Sequence, residues 1–261
     1  MGTHPILKHL AWKIPLVVGL LSGGAFAADS GQQTGQHPQT LNKQIEVKMN
    51  YLLYLPADYG KEQGKKWPLI LFLHGAGERG DDVNKVKLHG PPKLVEGSAG
   101  DSPARKFIVV SPQCAPNKWW DPREVITLLD EVSQKYAVDP DRVYLTGLSM
   151  GGFGTWETAA RNPERFAAIA PICGGGDPRR VRSLKDTPTW VFHGDKDPTV
   201  PVQRSIEMVD ALKQVGNDAK FTRYPDAGHD SWTATYNNQE LYDWLLKHKR
   251  GQKSDSAAAG K

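Results

Sequence analysis

The feature that most constrains this chain is an apolar run, Val143-Tyr144-Leu145, which passes into Thr146-Gly147-Leu148-Ser149-Met150-Gly151-Gly152 and then into a helical pattern. A sharp strand-to-helix turn needs Gly on both sides of the residue at its apex, and it lifts that residue above the edge of a sheet. The apex here is Ser149. At the N-terminus of the following helix, the Met150 N–H and the helix dipole face any negative charge that develops beside the serine hydroxyl. The pentapeptide alone is a weak signal, because Gly and Ser are common loop residues. Its setting between a strand and a helix points to a nucleophile elbow rather than a plain turn.

The rest of the chain supports a sheet of the right kind. Apolar, β-branched or aromatic runs bounded by Gly and Pro fall at 44–55, 68–73, 107–110, 143–146, 167–172, 189–192 and 220–224. Helical patterns alternate with them. The clearest puts Val125, Leu128, Leu129, Val132 and Tyr136 on one face and opens with Asp121 as N-cap and Pro122 at the first helical position. Others follow Gly151, span 202–215 with Gly216 as a stop, and span 238–247 with Leu241, Trp244 and Leu245 inward. Repeated strand and helix alternation predicts an α/β fold, a mostly parallel sheet covered by helices on both faces. The spacing shows neither an internal repeat nor a second domain.

A nucleophilic serine requires a base, and in this topology the partners follow in the order Ser, Asp or Glu, His. Only His229 and His248 come late enough. His248 lies among Lys247, Lys249 and Arg250, which suits a solvated helix end, whereas His229, flanked by Gly228 and Asp230, suits a loop at the end of a strand. His229 is therefore the expected general base and acid. The loop 193–201 offers two acids to orient it. Asp197 precedes Pro198, which favours an extended conformation aimed out of the turn. Asp195 sits beside Gly194, as turn-forming Asp residues commonly do. Asp197 is the choice, with Asp195 kept as a structural residue. A second backbone donor for an oxyanion should follow the strand 68–73, where His74-Gly75-Ala76-Gly77 stands; Ala76 is nominated beside Met150, with Gly77 as the alternative. His74, preceding the serine, reads as structural, and Glu78, Arg79, Asp81 and Asp82 read as a solvated charged loop.

The formal charge of +4 comes from the two ends. Lys8 and Lys13 lie in a first segment without acids, and residues 247–261 hold five basic residues against one Asp, which leaves 26 basic and 28 acidic residues in the body. A nucleic-acid footprint is absent from such a balance. Residues 1–27 combine those lysines, a short apolar run at Ile14–Leu21 and the small-x-small signal Ala25-Phe26-Ala27, the pattern of a cleaved secretory signal peptide. The run is interrupted by Pro15 and is shorter than the roughly 20 residues that span a bilayer, so no stable membrane insertion is expected after cleavage. The expected destination is secreted or periplasmic. Residues 28–43 read as a flexible lead, 44–247 as the folded domain and 248–261 as a disordered tail. Cys114 and Cys173 are read as buried thiols, with a pairing in an oxidising compartment left open. They make no zinc site, and no cofactor or metal is expected.

Taken together, His74-Gly75-Ala76-Gly77-Glu78-Arg79-Gly80, Gly147-Leu148-Ser149-Met150-Gly151, Cys173-Gly174-Gly175-Gly176-Asp177, the stretch 193–201 and Gly228-His229-Asp230-Ser231-Trp232 resemble the α/β-hydrolase superfamily. Within it the chain is similar to secreted esterases related to polyhydroxybutyrate depolymerases and feruloyl or acetyl xylan esterases, a group called prolyl-oligopeptidase-like. The resemblance implies the α/β-hydrolase fold, Ser149, Asp197 and His229 as a triad, and Ala76 with Met150 as oxyanion donors. Fewer than 20 residues separate Ala27 from the first strand, too few for a gating propeller, so an esterase is expected ahead of a prolyl peptidase. A non-catalytic binding protein on the same scaffold is the third reading, and a complete Ser, Asp and His set argues against it.

The substrate is expected to be a small-molecule or polymer ester. About 16 residues separate the strands 167–172 and 189–192, too few for a helical cap. Trp120 and Trp232 are the nominated substrate contacts, with Trp119 ranked below them.

Overall fold

The computed structural model describes residues 36, 46–96 and 102–251. The expected signal peptide and all but Gln36 of the expected lead lie outside the described residues, as does the tail from Gln252 onward.

Seven strands form one sheet: β1 Tyr51–Tyr54, β2 Trp67–Leu73, β3 Ile108–Pro112, β4 Val138–Leu148, β5 Ala168–Ile172, β6 Trp190–Gly194 and β7 Lys220–Tyr224. Their order is β1-β3-β2-β4-β5-β6-β7. Strand β1 pairs antiparallel with β3, and the other pairings are parallel. Six α-helices connect and cover them: α1 Gly90–Glu96, α2 Pro122–Lys135, α3 Met150–Arg161, α4 Gln203–Gln214, α5 Trp232–Tyr236 and α6 Gln239–Lys247. The expected α/β-hydrolase architecture is the observed one. Strand β1 is shorter than the run 44–55, and the sequence pattern gave no sign of α1 or α5, each under two turns long.

Alternation along each strand explains the two layers, since successive side chains point to opposite faces. Leu69, Leu71, Leu73, Leu145, Ile169 and Val191 pack against Val125, Leu129 and Val132 of α2, Trp156 of α3 and Leu212 of α4. Ile70, Phe72, Tyr144, Ala170, Ile172 and Phe192 pack instead with Val95 of α1, Tyr236 of α5 and Leu241, Tyr242 and Leu245 of α6. Strands buried on both faces read as continuous apolar runs, which is why β2 was visible from its Leu-Ile-Leu-Phe-Leu core. Helix α2 starts as expected, with the Asp121 carboxylate accepting the Arg123 N–H at 2.9 Å.

The expected start of the tail at residue 248 is corrected. The His248 carbonyl accepts the Tyr144 hydroxyl at 3.0 Å, and the Arg250 N–H donates to Asp141 O at 2.8 Å, so the chain stays attached to the body through residue 250. His248 itself is half-buried against Trp244, 4.7 Å between ring centres, rather than solvated. Burial lowers its pKa. Between β5 and β6 the described residues contain a single 3-10 helix, Pro178–Leu184, and no cap domain.

Candidate active site

The carboxyl ends of β2, β4, β6 and β7 bring the candidate residues together. Ser149 follows β4 and caps α3 with φ 52° and ψ −117°. A non-glycine residue in this region costs roughly 1–3 kcal/mol and persists only where its surroundings over-determine it. Here the Ser149 N–H donates to Ile172 O at 3.0 Å and approaches the Cys173 sulfur at 3.3 Å, while Ser149 O accepts the Phe153 N–H. The flanking glycines are required by space. A Cβ on Gly151 would fall 1.8 Å from Leu73 O, and one on Gly147 would fall 2.4 Å from Gly151 O.

His229 lies in the loop after β7. Its Nε2 is 2.9 Å from Ser149 Oγ, and its Nδ1 is 2.7 Å from Asp197 Oδ2. An ionised carboxylate only accepts, so the Nδ1 proton faces Asp197 and the Nε2 lone pair faces the serine hydroxyl. Asp197 is buried in the turn after β6, where its other oxygen accepts the Thr199 and Val200 N–H groups at 2.8 and 2.9 Å. Burial raises the carboxyl pKa, but the bonds from His229, Val200 and Thr199 outweigh it and hold the group below the ordinary carboxylate range. Asp195 is elsewhere, paired with Arg223 at 2.6 Å on the surface.

Sequence reasoning missed a second imidazole behind Asp197. His193, fully buried at the end of β6, directs Nε2 at Val200 O (2.8 Å) and Asp197 Oδ2 (3.2 Å), while its Nδ1 meets Ser205 Oγ at 2.7 Å. Because Nε2 faces two acceptors, a proton on Nε2 adds one more donor to the carboxylate, and burial lowers the ring's pKa. His193 opens the stretch 193–201, and four residues of separation from Asp197 was the available signal.

The nominated oxyanion donors open their helices. Ala76 begins the 3-10 turn Ala76–Glu78, and Met150 begins α3. Neither N–H has a protein partner among the described residues. His74 does more than fill space. Its Nδ1–H donates to Gly75 O at 2.5 Å, the carbonyl of the peptide that carries the Ala76 N–H, and its Nε2 accepts the Cys114 N–H at 3.0 Å. That arrangement needs a neutral imidazole, and burial lowers its pKa to about 4. The unfolded chain therefore binds a proton below pH 6.5 that the folded chain refuses until about 4. Over that interval His74 alone should remove about 3 kcal/mol of stability as the pH falls. Urea midpoints measured from pH 7 to 4 should decline, and His74→Gln should flatten the decline. Equal slopes in the two proteins would refute the assignment.

The tryptophans divide differently from expectation. Trp120 is corrected to a core residue: it is 6% exposed, its Nε1 donates to His74 O at 3.1 Å, and its ring lies against Gly154. Trp232 is partly buried with its ring edge-on to His229, 5.2 Å between centres, and edge-on to His89 at 5.5 Å. Trp119, ranked last, is 64% exposed. Glu78 is buried rather than solvated, 3.8 Å from both His74 Nδ1 and His89 Nε2. Its neighbours Arg79, Asp81 and Asp82 do lie at or near the surface.

Cys114 and Cys173 are both free and buried. Burial pushes the Cys173 thiol up to about 12. Among the described residues the cluster able to hold a metal is Cys173, Asp197 and His229, whose ligand atoms lie within 4.8 Å. Asp197 and His229 are already bonded to each other there, and the Cys173 sulfur meets the Ser149 N–H.

Comparison with known proteins places these residues in a family. Poly(3-hydroxyalkanoate) depolymerase C of Paucimonas lemoignei is 27% identical over 185 residues, 64% of this chain and 39% of that protein. "Probable feruloyl esterase C" of Aspergillus terreus is 26% identical over 227 residues, 80% of this chain and 76% of that one. A solved thermostable esterase superposes with a TM-score of 0.67 at 36% identity, covering 77% of this chain and 60% of its own. The chain thus spans about two-fifths of the depolymerase's length. The model of the prolyl oligopeptidase family matches residues 115–186 and 177–252, more than half of the sequence, and the chain belongs to that family, within the α/β-hydrolase superfamily.

Proposed function

We propose that this protein is a serine carboxylic ester hydrolase acting through an acyl-enzyme on short-acyl, aromatic or carbohydrate-linked esters. The observation that carries the proposal is the line from Ser149 Oγ through His229 to Asp197, with contacts of 2.9 and 2.7 Å. His229 Nε2 takes the serine proton as Oγ attacks the ester carbonyl. The new oxyanion meets the Ala76 and Met150 N–H groups, which no protein acceptor occupies among the described residues. The imidazolium, balanced by Asp197, returns the proton to the leaving alcohol. Water repeats the sequence to release the acid. Ala25-Phe26-Ala27 supports export of the chain before it acts.

The lack of a cap between β5 and β6 among the described residues supports a preference for short acyl groups. A lipase-like tunnel rewards chain length at about 0.8 kcal/mol per buried CH₂, and without such a tunnel the reward is absent. A fluorophosphonate probe should label the purified protein, and kcat/KM should be greater for p-nitrophenyl acetate or butyrate than for palmitate. Absence of labelling would remove the hydrolase reading, and a monotonic rise from acetate to palmitate would remove the open site. Turnover of prolyl p-nitroanilides above that of every ester would make the protein a peptidase instead.

A further inference from the structure

The loop that follows β3 carries Trp119 in an unusual position. Large hydrophobic side chains are mostly covered in this fold, yet Trp119 is 64% exposed. A single exposed apolar residue needs no explanation by itself. Here, however, the residue on each side of it is fastened. The Arg79 guanidinium donates through Nη1 to Lys118 O at 3.3 Å and through Nε to Ala76 O at 3.0 Å, so one side chain ties the Trp119 loop to the oxyanion turn. On the other side the Trp120 indole is bonded to His74 O. The Trp119 ring then stands edge-on to Phe153, 6.1 Å between centres with an interplanar angle of 88°. Phe153 lies one helical turn from Ser149, and its N–H donates to Ser149 O.

Strand order adds the direction. The loops after β2 and β3 flank Ser149 on one side, whereas Asp197 and His229 arrive from β6 and β7 on the other. Trp119 therefore comes from the β2–β3 side of Ser149, opposite the strands that carry Asp197 and His229.

We infer that Trp119, braced by Phe153, is a stacking platform for a planar aromatic ring of the ester substrate. The inference rests on the esterase reading and makes Trp119 the residue that sets preference for aryl esters. A rigid, already exposed indole loses little freedom on meeting a ring, so the contact adds binding energy at small ordering cost. It acts equally in the ground and transition states, and its loss therefore appears mainly in KM.

The test compares Trp119→Ala with wild type on methyl cinnamate, benzyl acetate and methyl butyrate, followed by pH-stat. The first carries a ring on the acyl side, the second carries one on the alcohol side and the third has none. Trp119→Ala should lower kcat/KM by about three- to tenfold on a ring-bearing ester and leave methyl butyrate within about twofold, with Trp119→Phe restoring most of the loss. The ester affected identifies the side of the bond that stacks. Fluorophosphonate labelling of Trp119→Ala should proceed at the wild-type rate, which separates platform from nucleophile. Equal losses on all three esters, or none, in a wild type that labels and turns over would overturn the platform alone. A wild type that neither labels nor hydrolyses any of them would overturn the esterase reading and the platform with it.

Discussion

Ser149→Ala is expected to lower ester turnover by about 10⁴-fold or more while leaving the fold intact. The loss follows from geometry, because Ser149 Oγ is the atom His229 Nε2 faces at 2.9 Å and no other hydroxyl is bonded to that nitrogen among the described residues. Stability should hardly change. Alanine meets the same backbone strain at φ 52° as serine, and the removed hydroxyl serves no buried partner other than a half-buried imidazole. The elbow is maintained by backbone bonds from the Ser149 N–H and O, which the variant keeps. Initial rates on p-nitrophenyl acetate and a thermal melt check both halves. Activity comparable to wild type in a folded variant would sink the mechanism.

The two aspartates of one turn should respond very differently to the same change. Asp197→Asn is expected to reduce kcat by about 10⁴-fold, because an amide NH₂ facing His229 Nδ1 stabilises the tautomer with its proton on Nε2, where the serine proton must go. The rest of the turn can survive, since the Asn carbonyl still accepts from Thr199 and Val200, and His193 Nε2–H keeps Val200 O. Asp195→Asn removes only an ion pair with Arg223 whose side chains are 25% and 48% exposed. Such pairs contribute about 0–1 kcal/mol, so kcat should stay within about twofold of wild type. Steady-state kinetics of the two variants decides between the acids, and a reversed outcome would move the orienting role to Asp195.

Legibility in the sequence followed the range of the forces involved. The strands and longer helices were readable because burial on one or two faces imposes a period of 2 or 3.6 on near neighbours, and Gly, Pro and Asp mark the ends. The elbow was readable for a similar reason: its backbone demands glycine within two residues of Ser149. The short helices α1 and α5 were not, since five to seven residues show too little of a period.

Side-chain environment was a different matter. Trp119 and Trp120 are adjacent in sequence, and tertiary packing sends one to solvent and the other beneath His74. Glu78 and Arg79 look alike as loop charges, yet one is buried beside two histidines and the other ties two loops together. The local residues were enough to nominate Ser149, Asp197 and His229 and to order the strands along the chain. Which acid touches His229 and which indole is free were settled by contacts across 30 to 80 residues of chain, such as Asp197 with His229, His229 with Ser149 and Trp120 with His74. Periodicity carries no record of such contacts, because each depends on two distant segments being packed at one sheet edge.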